Sequence, residues 1–190
     1  MTRVITWAAA LLTCAGSLRA QAKPIDTEKS TMTVRVSKAG AFSAFGHDHD
    51  IAALLSGGTV DLSAHRVELR VDAKALRVQD RGSSEKDRAD VQKTMLGPEV
   101  LDAERYPQIV FRSTSAESTG AGAWRVHGSL TLHGTSQPID VEVLEKDGQY
   151  TGHAVLKQTD FGIKPVKVGG GAVRVKDEVR IEFDIRLGGK

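Results

Sequence analysis

Five apolar residues, Val179, Ile181, Phe183, Ile185 and Leu187, alternate with Arg180, Glu182, Asp184 and Arg186 near the C-terminal end of the chain. Side chains on a strand point to opposite faces at every step, so this run gives one greasy face and one charged face. The pattern returns through Thr31 to Ser37, Arg66 to Asp72, Gln108 to Ser115, Trp124 to Leu132, Ile139 to Glu145 and Tyr150 to Lys157. Sheets with one wet face need their other face covered. The separators are short and turn-like, among them Gly134, Pro138 and the hairpin signal Asp147-Gly148. About eight antiparallel strands of this polarity, in one domain, bury the apolar face by closing or stacking, which predicts an all-β barrel with room for side chains or one ligand.

One segment departs from period two. Ser83 or Ser84 is placed to cap a helix, with Glu85 and Asp87 in its first turn and Gly97-Pro98 as its stop, so a helical segment is expected near 84–102. Val91, Met95, Leu96, Val100 and Leu101 then form the apolar side of a helical cap. Between the first two alternating runs, an extended segment from Gly46 reaches Leu55. Ser56-Gly57-Gly58 looks like a bulge or tight turn before alternation resumes at Thr59. Gly169-Gly170-Gly171, inside a long connection from Phe161 to Lys176, is the plainest flexible joint.

The N-terminal residues carry a separate message. Arg3, the apolar run Val4 to Leu12 and the small-residue pattern Ala20-Gln21-Ala22 read as a signal peptide over 1–22, leaving a barrel domain over 23–190 and a periplasmic protein. The apolar run is too short to span a bilayer, and nothing later is longer. Thr13 before Cys14 is a poor lipoprotein signal. The excess of 26 basic over 24 acidic residues is due to Arg3 and Arg19, so the remainder is balanced. A balanced surface argues against a nucleic-acid partner. The single Cys also lies in this stretch, which removes disulfides and a thiol nucleophile from the remainder. No Ser-His-Asp or paired-carboxylate pattern stands out, so no catalysis and no cofactor are expected.

Three ordered segments carry a resemblance. Asp90 to Leu96 with Glu99 to Phe111 resembles a signature of helix, "FLD" turn, "YP" and strand; Gly128 to Pro138 resembles a "G-x-L-T-I-H-G-x-T-K-P" hairpin; Thr159 to Ile163 resembles an "S-D-F-G" turn. The chain thus resembles the YceI-like family of exported, lipocalin-like antiparallel barrels that hold a polyisoprenoid or another long amphiphile. The resemblance spans Ile25 to Leu187. It implies a cavity lined by Val34, Val36, Phe42, Phe45, Leu55, Val71, Phe111, Leu130, Phe183 and Ile185, and a homodimer by analogy. Two departures stand out: Gln158 occupies a position where many relatives carry Arg, and Gly46-His47-Asp48-His49-Asp50 follows the retained Phe42-Ser43.

His47 and His49 share parity with Ile51, while Asp48 and Asp50 point the other way. A His-x-His pair is half of a metal site, and His65, His127, His133 or His153 would have to complete it. The other readings are a contact to a ligand head group, or hydrogen-bonded structural histidines near the barrel rim. Metal-centred chemistry at His47 and His49 and a filled, purely structural barrel are the rivals of a lipid carrier. His133, opposite in parity to Leu130 and Leu132, is expected to face outward or to cap its turn, Tyr106-Pro107 to fix the start of its strand, and Trp124 to face the core.

Overall fold

The computed structural model describes residues 22–39, 48–168 and 173–189. Its strands are β1 (Lys23–Pro24), β2 (Thr31–Ala39), β3 (His49–Ala52), β4 (Leu55–Asp61), β5 (Arg66–Asp72), β6 (Arg77–Val78), β7 (Gln108–Gly120), β8 (Ala123–Leu132), β9 (Thr135–Lys146), β10 (Gln149–Lys157), β11 (Lys167–Val168) and β12 (Val173–Arg186), with one helix, α1 (Glu85–Leu96). They form one twelve-stranded sheet in the order β1-β4-β5-β7-β8-β9-β10-β12-β2-β3-β6, with β11 added beside β12. Every pairing is antiparallel. The sheet curls into a half-barrel, and its first edge is tied back to β12: Ile25 bridges Leu187, Asp26 N–H donates to Arg186 O at 2.9 Å, and Gly188 N–H donates to Pro24 O at 2.8 Å.

The antiparallel all-β sheet is what the alternation predicted, its helical segment what the caps predicted and its lipocalin-like curl what the resemblance implied, but the strands outnumber eight. Three of them, β1, β6 and β11, are two residues long, too short to show a period. The segment read as one extended run up to Leu55 also divides, its described part into β3 and the start of β4. Its pairing slips between Leu55 and Gly57, so the bulge read at Ser56-Gly57-Gly58 is present. β12 starts at Val173 rather than Val179, because a second slip between Val175 and Val179 interrupts the alternation that would have revealed it.

α1 begins where its cap says. Ser84 is extended and its hydroxyl accepts the Asp87 N–H at 3.1 Å, relieving one of the unpaired amides of the first turn. Gly97 closes the helix with bonds to Lys93 O and Thr94 O, and a compact turn follows through Leu101 and Asp102. The two-residue hairpins His133-Gly134 and Asp147-Gly148 have φ of 51° and 72°, and of 52° and 76°, the left-handed pair that matches strand twist. His133 takes the left-handed first position of its turn, and its ring reaches the neighbouring turn Gln158–Phe161, with Nδ1 3.2 Å from Phe161 O, and stands edge-on to Tyr106. Gly169 to Gly171 lie outside the described residues.

Two buried clusters make the core. Phe111, Val126, Leu130, Val141, Leu156, Phe161 and Ile163 anchor one, while Ile25, Ile51, Leu55, Val60, Val71, Leu76, Met95 and Ile185 anchor the other. Val34, Val36, Val67, Leu69, Leu101, Ile109 and Phe183 pack against both and yet stay only partly buried. Such residues bridge two cores without being covered because an unfilled space lies between them. Phe111 lies over Gly128 and Phe183 over Gly152, where any Cβ would collide with the ring and with a neighbouring strand's carbonyl.

Candidate ligand cavity

That space is a cavity of about 600 Å³ inside the curl of the sheet, within the range of roughly 300–1,000 Å³ that small-molecule sites occupy. Strand parity builds its wall. Val34 and Val36 of β2, Val71 of β5, Phe111 of β7, Leu130 of β8, and Phe183 and Ile185 of β12 all line it. The barrel is therefore not filled by its own side chains.

The remaining sequence candidates fall elsewhere. Leu55 is buried in the second cluster, 7% exposed, and does not reach the cavity. It directly precedes the bulge, where β4 changes register. Phe42, Phe45 and His47 lie outside the described residues. His49 pairs with Val36 and shares the face of Ile51, but its ring is held by Asp80, with Nδ1 2.6 Å from Oδ2, and it does not line the cavity. Asp80 is itself buried, and its other oxygen accepts the Asp50 N–H at 2.9 Å. His49 and Asp80 thus clasp the start of β3 to the segment after β6. For His49 this is the hydrogen-bonded structural role that the sequence reading allowed.

Asp48 and Asp50 do point outward: Asp48 Oδ1 accepts the Lys38 N–H at 2.9 Å, and Asp50 lies 3.7 Å from Arg35. The other histidines are occupied separately. His127 contacts Asp140 at 2.6 Å, His153 lies 3.8 Å from Glu142, and His65 packs on Trp124 at 5.2 Å between centroids. Among the described residues, no group of three His, Cys, Asp or Glu is arranged to hold a metal ion.

Sequence reasoning missed the polar part of the lining. Asp61, His65, Arg66, Glu145 and Tyr150 sit together where the β4–β5 and β9–β10 hairpins turn, and Leu62, His65 and Arg66 there are exposed. This is the open end. The Asp61 carboxylate accepts the N–H of Ala64, at 2.9 Å, and both the hydroxyl and N–H of Ser63, which hold its pKa below the usual carboxylate value and shape the loop. Burial, reinforced by the nearby Glu145, pushes the Tyr150 phenol up, so it stays a neutral hydroxyl. Trp124 was placed on the core side correctly and lines the cavity near this rim. Parity with Ala154 and Leu156 would have identified Tyr150; nothing local marks the β4–β5 loop.

At the opposite end the lining is apolar and covered, with Leu132 9%, Leu156 8% and Ile163 2% exposed. Met95, Val100 and Leu101 come in from α1 and the turn after it, so the helical cap also lines the site. From Tyr150 to Gln158 the wall runs along β10 for roughly 25 Å at ~3.3 Å per residue. The result is a deep greasy slot with one polar rim, suited to an elongated apolar molecule with a polar group.

Known proteins agree with this architecture. The UPF0312 protein of Shewanella oneidensis is 26% identical over 170 residues, covering 83% of this chain and 84% of that one. The UPF0312 protein of Vibrio parahaemolyticus is 35% identical over 122 residues, covering 58% and 62%. Among solved structures, BcnA of Burkholderia cenocepacia aligns with a TM-score of 0.63 at 19% identity over 87% of this chain and 99% of that one. A YceI protein of Campylobacter jejuni aligns with a TM-score of 0.51 at 13% identity, covering 74% and 82%. These structures share the fold. The YceI-like domain itself matches residues 24–187, and the chain belongs to the YceI-like family.

Proposed function

We propose that the protein is an exported, periplasmic carrier or sequestering protein that holds a long-chain isoprenoid or other amphiphilic lipid in its cavity, without catalysis. The observation that carries this reading is the apolar-walled cavity of about 600 Å³ between two packed cores. Apolar burial stabilises by about 25 cal/mol per Å², so a tail burying roughly 400 Å² gains on the order of 10 kcal/mol. Association itself costs about 4–15 kcal/mol, so affinity rests on the tail being long. The Tyr150 hydroxyl and the charged rim give a polar group water and hydrogen-bond partners at the open end.

Mass spectrometry of an organic extract from protein made in its native host and purified without detergent tests the proposal. A single co-purifying long-chain species is expected. Repeated recovery of lipid-free protein, with no uptake of added polyprenol, overturns it. Export is tested separately by fractionation and N-terminal sequencing, with cleavage expected after Ala22.

A further inference from the structure

Two of the hairpins at the open end carry no charge at their tips. The β4–β5 turn presents Leu62, Ser63 and Ala64, and the β7–β8 turn presents Thr119, Gly120 and Ala121, all six exposed. The two tips stand side by side, because the His65 ring of the first packs on Trp124, just past the second, at 5.2 Å between centroids. Asp61, at the base of the first tip, is folded back onto Ser63 and Ala64. Leu62 is 46% exposed and also lines the cavity, while Leu144, 51% exposed, pairs with Ala123 at the foot of the second tip.

In a chain with 26% charged residues, the other end of the cavity looks different: its turns expose Lys74, Glu104, Arg105, Lys157 and Asp160. The β9–β10 hairpin at the mouth exposes Lys146 and Asp147, whose charges cancel. A lipid tail held in the cavity leaves through this mouth, and the burial that retains it makes release into water slow. An uncharged, partly apolar lip enters a head-group layer without stripping water from an ion.

We infer that the lip formed by residues 62–64 and 119–121 docks on a lipid bilayer, with the Leu62 side chain inserted, and that the tail passes between cavity and bilayer without crossing bulk water. The inference rests on the cavity being a lipid site and adds where, and on what surface, the protein loads and unloads. A lip without charge selects no charged lipid, so attachment depends on apolar insertion and not on salt-sensitive attraction.

In the test, protein loaded with radiolabelled geranylgeraniol is mixed with phosphatidylcholine vesicles, and the initial transfer rate is followed as vesicle concentration rises. The rate should climb in proportion to the vesicles, persist in about 1 M salt and gain nothing from added phosphatidylglycerol. Leu62→Asp should lower the slope about 10-fold, the loss of one buried leucine, and Ala121→Asp should lower it as well. Leu54→Asp, at the far end of β4, 60% exposed and outside the cavity lining, should leave it unchanged. A thermal melt shows whether each variant folds, and the wild-type dependence on vesicles decides the matter even where a variant does not. A rate independent of vesicle concentration, a rate lost in salt, or equal slopes for Leu62→Asp and Leu54→Asp overturns the inference and leaves the lipid reading intact. If the protein loads no geranylgeraniol, the lipid reading falls and the inference falls with it.

Discussion

β8 and β9 pair without interruption from Ala123↔Leu144 to Leu132↔Thr135, whereas β3 and β6 meet only at Ile51↔Val78 and Ala52↔Arg77. The long strands β7 to β10 and β12 cover one core with alternation that is broken only at local slips, and the hairpins β8–β9 and β9–β10 turn on residues suited to left-handed backbone. The short strands keep their positions through side chains that bond to backbone. Asp80 takes the Asp50 N–H and the His49 ring, while Gln92 of α1 accepts the Val78 N–H at 2.8 Å and donates to Leu76 O at 2.8 Å. Periodic burial is enough where a strand is long. Where it is short, particular polar contacts replace periodicity.

Four measurements separate these two means of support. Phe161, 1% exposed beneath the long strands, should cost about 3–5 kcal/mol when replaced by Ala, measured by chemical denaturation, because the surrounding strands cannot collapse into the hole. Gln92→Ala should cost about 1–3 kcal/mol and expose β6 to amide exchange, while exchange in β8 and β9 stays unchanged. Spread of the exchange into β8 would erase the proposed division. Ser84→Ala, which removes only the cap of α1, should cost about 1 kcal/mol by thermal melting.

The smallest effect is expected with acid. The Thr159 hydroxyl, followed by its N–H, holds the Asp177 carboxyl below its ordinary pKa of 3.8. A depressed folded-state pKa means this contribution is complete above the unfolded value and is lost as pH falls through the folded one. Thr159→Val should therefore lower stability slightly at pH 7 and flatten its decline in the acid range below about pH 4. An unchanged acid profile would show that Asp177 is held by other groups.

Legibility followed the same division. α1 could be bounded from Ser84 and Gly97 because caps are local, and the Asp147-Gly148 hairpin because its φ values are local. Parity told which side of the sheet Val34, Val36, Phe111 and Phe183 face, but that this side lines a space rather than a filled core came only from the family resemblance. The histidine reading illustrates the limit. His49 does share a face with Ile51, but its partner lies 31 residues onward, and no period connects Asp80 to it. Gln158 was conspicuous only as a departure from a family pattern; its buried position depends on a slip in β12 that alternation conceals.

The glycines beneath the two cavity-facing phenylalanines have a mechanical consequence. Gly128 and Gly152 leave no side chain between ring and sheet, so Phe111 and Phe183 rest directly on the backbone of adjoining strands. Neither ring can retreat toward the sheet, because backbone lies directly behind it. The calibre of the slot is therefore set by strand spacing, near 4.8 Å between neighbours in any sheet, and widening it requires parting hydrogen-bonded strands. Toward the hairpins no such stop exists, which makes the slot a sleeve of fixed bore and open length.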